Sequence, residues 1–123
     1  MKNILILDDD EQIVEALGII LKTAGYKVIQ ETDGQGIEEK VLQLRPDLMI
    51  IDIRLADANG LEITHNLKNN PKTKDIPVIL MSARVGNLSK DQLEGANMWM
   101  PKPFRMRELL ENITSLLAHS SPP

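Results

Sequence analysis

Three runs of four apolar residues, Ile4-Leu5-Ile6-Leu7, Leu48-Met49-Ile50-Ile51 and Val78-Ile79-Leu80-Met81, each end on a polar residue: Asp8, Asp52 and Ser82. A strand with one wet face alternates apolar and polar residues. An unbroken apolar run predicts a strand covered on both faces, as in the middle of a parallel sheet. Parallel neighbours need crossovers of a dozen or more residues, usually helical, and the intervening segments carry helical periodicity. Ile13, Leu17, Ile20 and Ala24 fall at i, i+4, i+7 and i+11 and stop at Gly25. Ile37, Val41 and Leu44 mark a second helix closed before Pro46, and Gly60–Asn69 a third, more polar one. Leu109, Leu110, Ile113, Leu116 and Leu117 give the last helix its apolar face. Tyr26–Gln30 and Met98-Trp99-Met100 read as weaker strands, and Ser89–Glu94 as a short helix. The prediction is five strands alternating with five helices, an α/β doubly wound parallel sheet with helices on both faces.

Strand order follows from two constraints. Crossovers are right-handed, so an open sheet covered on both faces must reverse direction once. The three strongest runs belong in the centre and the polar second and short fifth strands at the edges, where Pro101 is tolerated. Order 2-1-3-4-5 satisfies both. The length of 123 residues suits one domain. It is expected over residues 1–118, with 119–123 as a tail or the start of a linker.

Composition removes several chemistries. There is no cysteine, which excludes disulfides, thiol nucleophiles and Cys-ligated metals, and His65 and His119 alone leave little for a histidine site. A net charge of −4 argues against a general nucleic-acid surface. The apolar runs are far shorter than the roughly 20 residues of a membrane span, and no signal-peptide pattern is visible. A cytoplasmic protein without direct nucleic-acid or membrane contact is expected.

In open parallel sheets ligands bind beyond the carboxyl ends of the strands, where the strand order reverses. Asp8-Asp9-Asp10, Asp52, Ser82 and Lys102 follow the first, third, fourth and fifth strands, so the predicted topology gathers them on one edge. Taken singly, each has a plainer role. Asp10 suits the N-cap of the first helix, with Glu11 complementing its dipole. Ser82 suits a loop hydroxyl, and Lys102 a surface charge. Together they point elsewhere. Crowded carboxylates need a cation or a retained proton, and a sparse all-oxygen set with room for water suits Mg²⁺. Lys102 and Ser82 are suited to holding phosphoryl oxygens, and a carboxylate can itself accept a phosphoryl group. The constellation predicts phosphoryl transfer to an aspartate.

From Lys2 to about Ala118 the chain resembles the receiver domain of bacterial response regulators, the CheY-like branch of flavodoxin-like folds. The matching pieces are Ile4 to Asp10, Pro46-Asp47 through Asp52, Asn59-Gly60, Pro77 through Ala83, and Lys102-Pro103-Phe104. The resemblance implies that Asp52 is the phosphoacceptor and that Asp8 and Asp9 are the acidic pair holding Mg²⁺. Asp9, Asp52 and the backbone carbonyl of Arg54 are its implied ligands. Lys102 is implied to pair with the phosphoryl group and to precede a cis bond to Pro103, Ser82 to be the switching hydroxyl and Trp99 the switching aromatic. The implied donor is a phosphohistidine on a sensor histidine kinase or a histidine phosphotransfer protein, with an unspecified output domain or partner. The domain then catalyses only its own phosphorylation and dephosphorylation and is no enzyme with an external product.

Departures from the family pattern carry expectations of their own. Arg54-Leu55-Ala56-Asp57 replaces a segment that usually contains Met-Pro, which predicts a looser loop. Trp99 is larger than the usual Tyr or Phe, and Gly86-Asn87 predicts a stunted fourth helix. Arg54 and Arg84 each lie two residues past a site residue, where they are positioned to shield an acyl phosphate from water. Three rivals are weighed. A haloacid dehalogenase type phosphatase matches Asp8 and Asp10, but Glu11-Gln12 continues it poorly. A mononucleotide binder is disfavoured because three aspartates repel phosphate. A receiver-shaped module independent of phosphorylation is the remaining alternative.

Overall fold

The structure is a computed structural model that describes residues 1–82 and 95–120. Its elements run β1 (Asn3–Leu7), α1 (Glu11–Thr23), β2 (Lys27–Glu31), α2 (Ile37–Leu44), β3 (Leu48–Asp52), α3 (Gly60–Lys68), β4 (Val78–Ser82), β5 (Met98–Pro101) and α4 (Met106–Ser120). All five strands are parallel, in the order β2-β1-β3-β4-β5. The expected order therefore holds, with the polar β2 and the proline-terminated β5 on the edges. The short helix expected at Ser89–Glu94 lies outside the described residues. Among those residues no helix is long and apolar enough to cross a membrane.

The unbroken apolar runs serve two cores at once, because successive side chains of a strand point to opposite faces. Ile4, Ile6, Leu48, Ile50, Ile79 and Met81 pack under α1 and α4 with Val14, Leu17, Leu21, Leu109, Ile113 and Leu117. Leu5, Leu7, Met49, Ile51, Val78 and Leu80 pack under α2 and α3 with Ile37, Val41, Ile63 and Leu67. Each fully buried Leu or Ile contributes about 1.5–3 kcal/mol of transfer free energy, which accounts for the absence of polar interruptions in the central strands.

The register brings the strand ends level. Leu7 pairs with Ile51, Asp52 with Met81, and Ser82 with Pro101. The residues at or just beyond these ends thus share one edge of the sheet.

Helix faces differ in detail from the periodicity. The buried stripe of α1 is Val14, Leu17, Gly18 and Leu21, while Ile13 and Ile20 are half-buried and Ala24 is the exposed C-cap. Two stripes sharing Leu17 are compatible with a period of 3.6, and only docking on the sheet selects one. Leu44 stays 45% exposed, because α2 ends there as Arg45 enters the left-handed region at φ 46°. The final helix runs through His119 to Ser120, beyond the expected domain end at residue 118.

Candidate functional site

Asp8 immediately follows β1 and is fully buried, and Asp52 closes β3 with 7% exposure. Burial of a carboxylate is costly unless it is paired, and Lys102, just past β5, supplies the partner. Its Nζ donates to Asp8 Oδ2 at 2.7 Å and lies 3.5 Å from Asp52 Oδ2. The Lys102 backbone is itself fixed, since its N–H donates to the Ser82 carbonyl at 2.8 Å. The Lys102–Pro103 peptide is cis, as the resemblance implied. Asp9 is exposed and faces the same space: Asp8, Asp9 and Asp52 each offer a carboxylate oxygen within 4.8 Å of the others.

The electrostatics match that crowding. The carboxyl of Asp52 is pushed up from 3.8 to about 6, first by burial and then by the Asp8 charge. The Lys102 ammonium and the Arg54 backbone N–H, which donates to Asp52, offset part of the rise. Asp52 is thus a buried carboxylate that ionises near neutrality and is held from two sides.

Asp10 points elsewhere. Its Oδ1 accepts from the N–H groups of Gln12 and Ile13 at 3.0 and 3.4 Å, capping α1 as read from sequence. Its own N–H donates to Asp8 Oδ1 at 2.9 Å, orienting the buried acid. The Asp8–Asp10 pair needed by the phosphatase alternative is therefore divided between the site and a helix cap.

Ser82 is buried at the end of β4, on the same edge. Trp99 lies in β5, half-buried, and packs on the α2/α3 face of the sheet. Its indole N–H is buried with no hydrogen-bond partner among the described residues. Arg54 is exposed at the start of the β3–α3 loop, and Arg84 lies outside the described residues.

The loop after Asp52 is closed, not loose. Arg54 and Asn59 form an antiparallel bridge, and the Leu55 N–H donates to the Ala58 carbonyl at 3.2 Å, making a turn of Leu55–Ala58. Gly60 starts α3 against the backbone of β3: a Cβ there would sit 2.2 Å from the Asp52 carbonyl oxygen. Only glycine permits that approach, and the Gly60 N–H uses it to donate to the Ile53 carbonyl at 2.8 Å. Asp57, at the loop tip, accepts from the N–H groups of Gly34 and Gln35, each at 3.1 Å. The sequence offers little signal for that contact, since nothing pairs an exposed loop acid with a backbone 22 or 23 residues earlier.

A doubly wound parallel sheet that carries two acids after β1, a buried acid ending β3, a hydroxyl ending β4 and a lysine after β5 defines a receiver domain. The chain matches the model of the response regulator receiver domain over residues 4–114 and belongs to that family, the phosphorylatable receivers of two-component systems. Among curated relatives, it is 36% identical over 121 residues to the DNA-binding dual master transcriptional regulator RpaA of Synechocystis, covering 95% of this chain and 49% of that protein. It is 34% identical over 123 residues to the phosphate regulon transcriptional regulatory protein PhoB of Pseudomonas aeruginosa, covering 98% and 54% respectively. The chain therefore spans about half the length of these relatives. Among solved structures, the response regulator TrrA of Thermotoga maritima in complex with Mg²⁺–BeF superposes with a TM-score of 0.86 at 31% identity, over 94% of this chain and 99% of that one. The chemotaxis response regulator CheY4 of Vibrio cholerae gives 0.85 at 25% identity, over 94% and 98%. The CheY-like fold expected from the sequence is the fold of the protein.

Proposed function

We propose that Asp52 accepts a phosphoryl group from a phosphohistidine on a sensor histidine kinase or histidine phosphotransfer protein. The observation that carries the reading is the buried Asp52 carboxylate, set among Asp8, Asp9 and the Lys102 ammonium within 4.8 Å and 3.5 Å respectively. An oxygen of Asp52 attacks phosphorus, an O–P bond forms, and the N–P bond to the donor imidazole breaks with its electron pair returning to nitrogen. With its carboxyl titrating at about 6, Asp52 is largely ionised at neutral pH and ready as nucleophile.

Three carboxylates against one lysine leave negative charge that an incoming phosphoryl group would increase. The donor set is all oxygen and partly exposed, which fits Mg²⁺. Asp9, Asp52 and the Arg54 carbonyl would hold the ion with Asp8 supporting it, and the ion supplies positive charge beside the transferred oxygens. Lys102 pairs with the phosphoryl group by releasing Asp52 while keeping Asp8. Ser82 and Trp99 act as the switching hydroxyl and aromatic that pass the change to a partner or output segment. On this reading the domain catalyses only its own phosphorylation and dephosphorylation, in the cytoplasm beside its kinase. The acidic balance favours a protein partner over direct nucleic-acid contact by this segment.

The test is intact-mass measurement after incubation with Mg²⁺ and acetyl phosphate. One added phosphoryl group, absent in Asp52→Asn, is expected. No adduct on the wild type would instead support the phosphorylation-independent module.

A further inference from the structure

We infer that Asp57 is a positioning residue for the Asp52 site, acting as a clamp that holds the β3–α3 loop against the turn before α2. The inference rests on the reading of Asp52 as phosphoacceptor and extends it to a residue that touches neither phosphate nor metal. Both Asp57 oxygens lie 3.1 Å from the Gly34 N–H, and Oδ2 is also 3.1 Å from that of Gln35. Two adjacent backbone donors on one carboxylate form a charge-assisted contact of defined direction. These bonds hold the carboxyl of Asp57 below its ordinary range.

Packing supports the clamp independently. Gly34 is buried, and a Cβ on it would meet Ala58 Cβ at 2.7 Å, with Ile63 and Leu55 at 3.2 Å. The two loops are therefore in backbone-close contact, and Gly34 lets the Asp57 carboxylate reach its amides.

The consequence travels over a short, continuous route. Asp57 lies within the Leu55–Ala58 turn, whose arms are bridged at Arg54 and Asn59. Arg54 donates its backbone N–H to the Asp52 carboxylate. Its carbonyl, on the same short arm, is the proposed backbone ligand. With Ala56 in the loop, no proline fixes this turn internally, and the clamp to a second loop fixes it from outside. Without Asp57 the loop keeps the two backbone bonds that bridge its arms, Leu55 N–H to Ala58 and Gly60 N–H to Ile53, but the arm carrying Arg54 loses its charged anchor to the second loop.

The experiment compares wild type, Asp57→Ala, Gly34→Ala and a control, Asp47→Ala. Asp47 makes an analogous carboxylate contact, accepting from the Asn3 N–H at 2.7 Å, but at the opposite end of the sheet. Mg²⁺ affinity is measured by calorimetry, phosphorylation by acetyl phosphate, and amide hydrogen exchange of Arg54 in the metal-free protein by NMR. Asp57→Ala and Gly34→Ala are each expected to weaken Mg²⁺ binding roughly tenfold, at the low end for partners beyond the ligand shell. Both should also speed Arg54 exchange, while Asp47→Ala does neither even if it melts at the same temperature. Unchanged Mg²⁺ affinity and Arg54 exchange in folded Asp57→Ala overturn the clamp. Faster Arg54 exchange in a protein that takes no phosphoryl group even as wild type supports the clamp and overturns the reading of Asp52.

Discussion

Replacing Asp52 by asparagine removes a buried charge that the fold holds at a cost, and it should stabilise the metal-free protein. In the unfolded chain this carboxyl titrates near 3.8, and in the folded one at about 6. Between those values the folded state holds the proton that the unfolded state has lost, so stability declines as pH rises through the window. The loss is complete above pH 6. At 1.36 kcal/mol for each pH unit, the gap from 3.8 to about 6 amounts to about 3 kcal/mol at neutral pH. The amide is nearly isosteric, and its oxygen can still accept from the Arg54 N–H. Lys102 keeps its 2.7 Å bond to Asp8. The expected gain for Asp52→Asn is therefore about 1–3 kcal/mol at neutral pH, or roughly 3–15 °C in Tm for a domain of this size. Thermal unfolding in EDTA, followed by circular dichroism from about pH 4.5 to about pH 7.5, tests it. The wild-type curve should fall toward neutrality relative to the variant, and saturating Mg²⁺ should narrow the gap by binding the native wild type. A variant that melts at or below wild type at neutral pH, or by a margin independent of pH, would refute the reasoning.

Lys102→Met leaves the buried Asp8 without its ammonium and should cost about 3 kcal/mol in urea unfolding at neutral pH. Asp10→Ala should cost about 1 kcal/mol through the lost cap, yet still accept a phosphoryl group from acetyl phosphate; a requirement for Asp10 in that reaction would revive the phosphatase alternative. Gly60→Ala sets a methyl group against the Asp52 carbonyl and should lose about 3 kcal/mol, the upper range for a single substitution, with urea midpoints as the measure.

The topology was legible because the central strands are buried on both sides. Val78-Ile79-Leu80-Met81 admits few readings other than an interior strand, and Pro101 fits an edge. Once that order holds, Asp8, Asp52, Ser82 and Lys102 must share an edge, so the cluster followed from strand order before any distance was known. Two kinds of feature were not legible. The inward stripe of α1 depends on how the helix rolls onto the sheet, which Ile13 and Val14 cannot decide between themselves. The Asp57 contact depends on two loops meeting, and Ala56 suggested slack where Gly34 and Asp57 supply closure.

The ion pair of Asp8 with Lys102 joins residues 94 positions apart. A growing chain possesses Asp8, Asp9 and Asp52 long before it possesses β5 and the lysine that follows. Until then Asp8 lacks the ammonium that pairs with it in the finished fold. The proposed acceptor site is thus complete only once the last strand of the sheet has been laid down. On the proposed reading, phosphorylation of Asp52 therefore requires a chain that extends past β5, since Lys102 follows that strand.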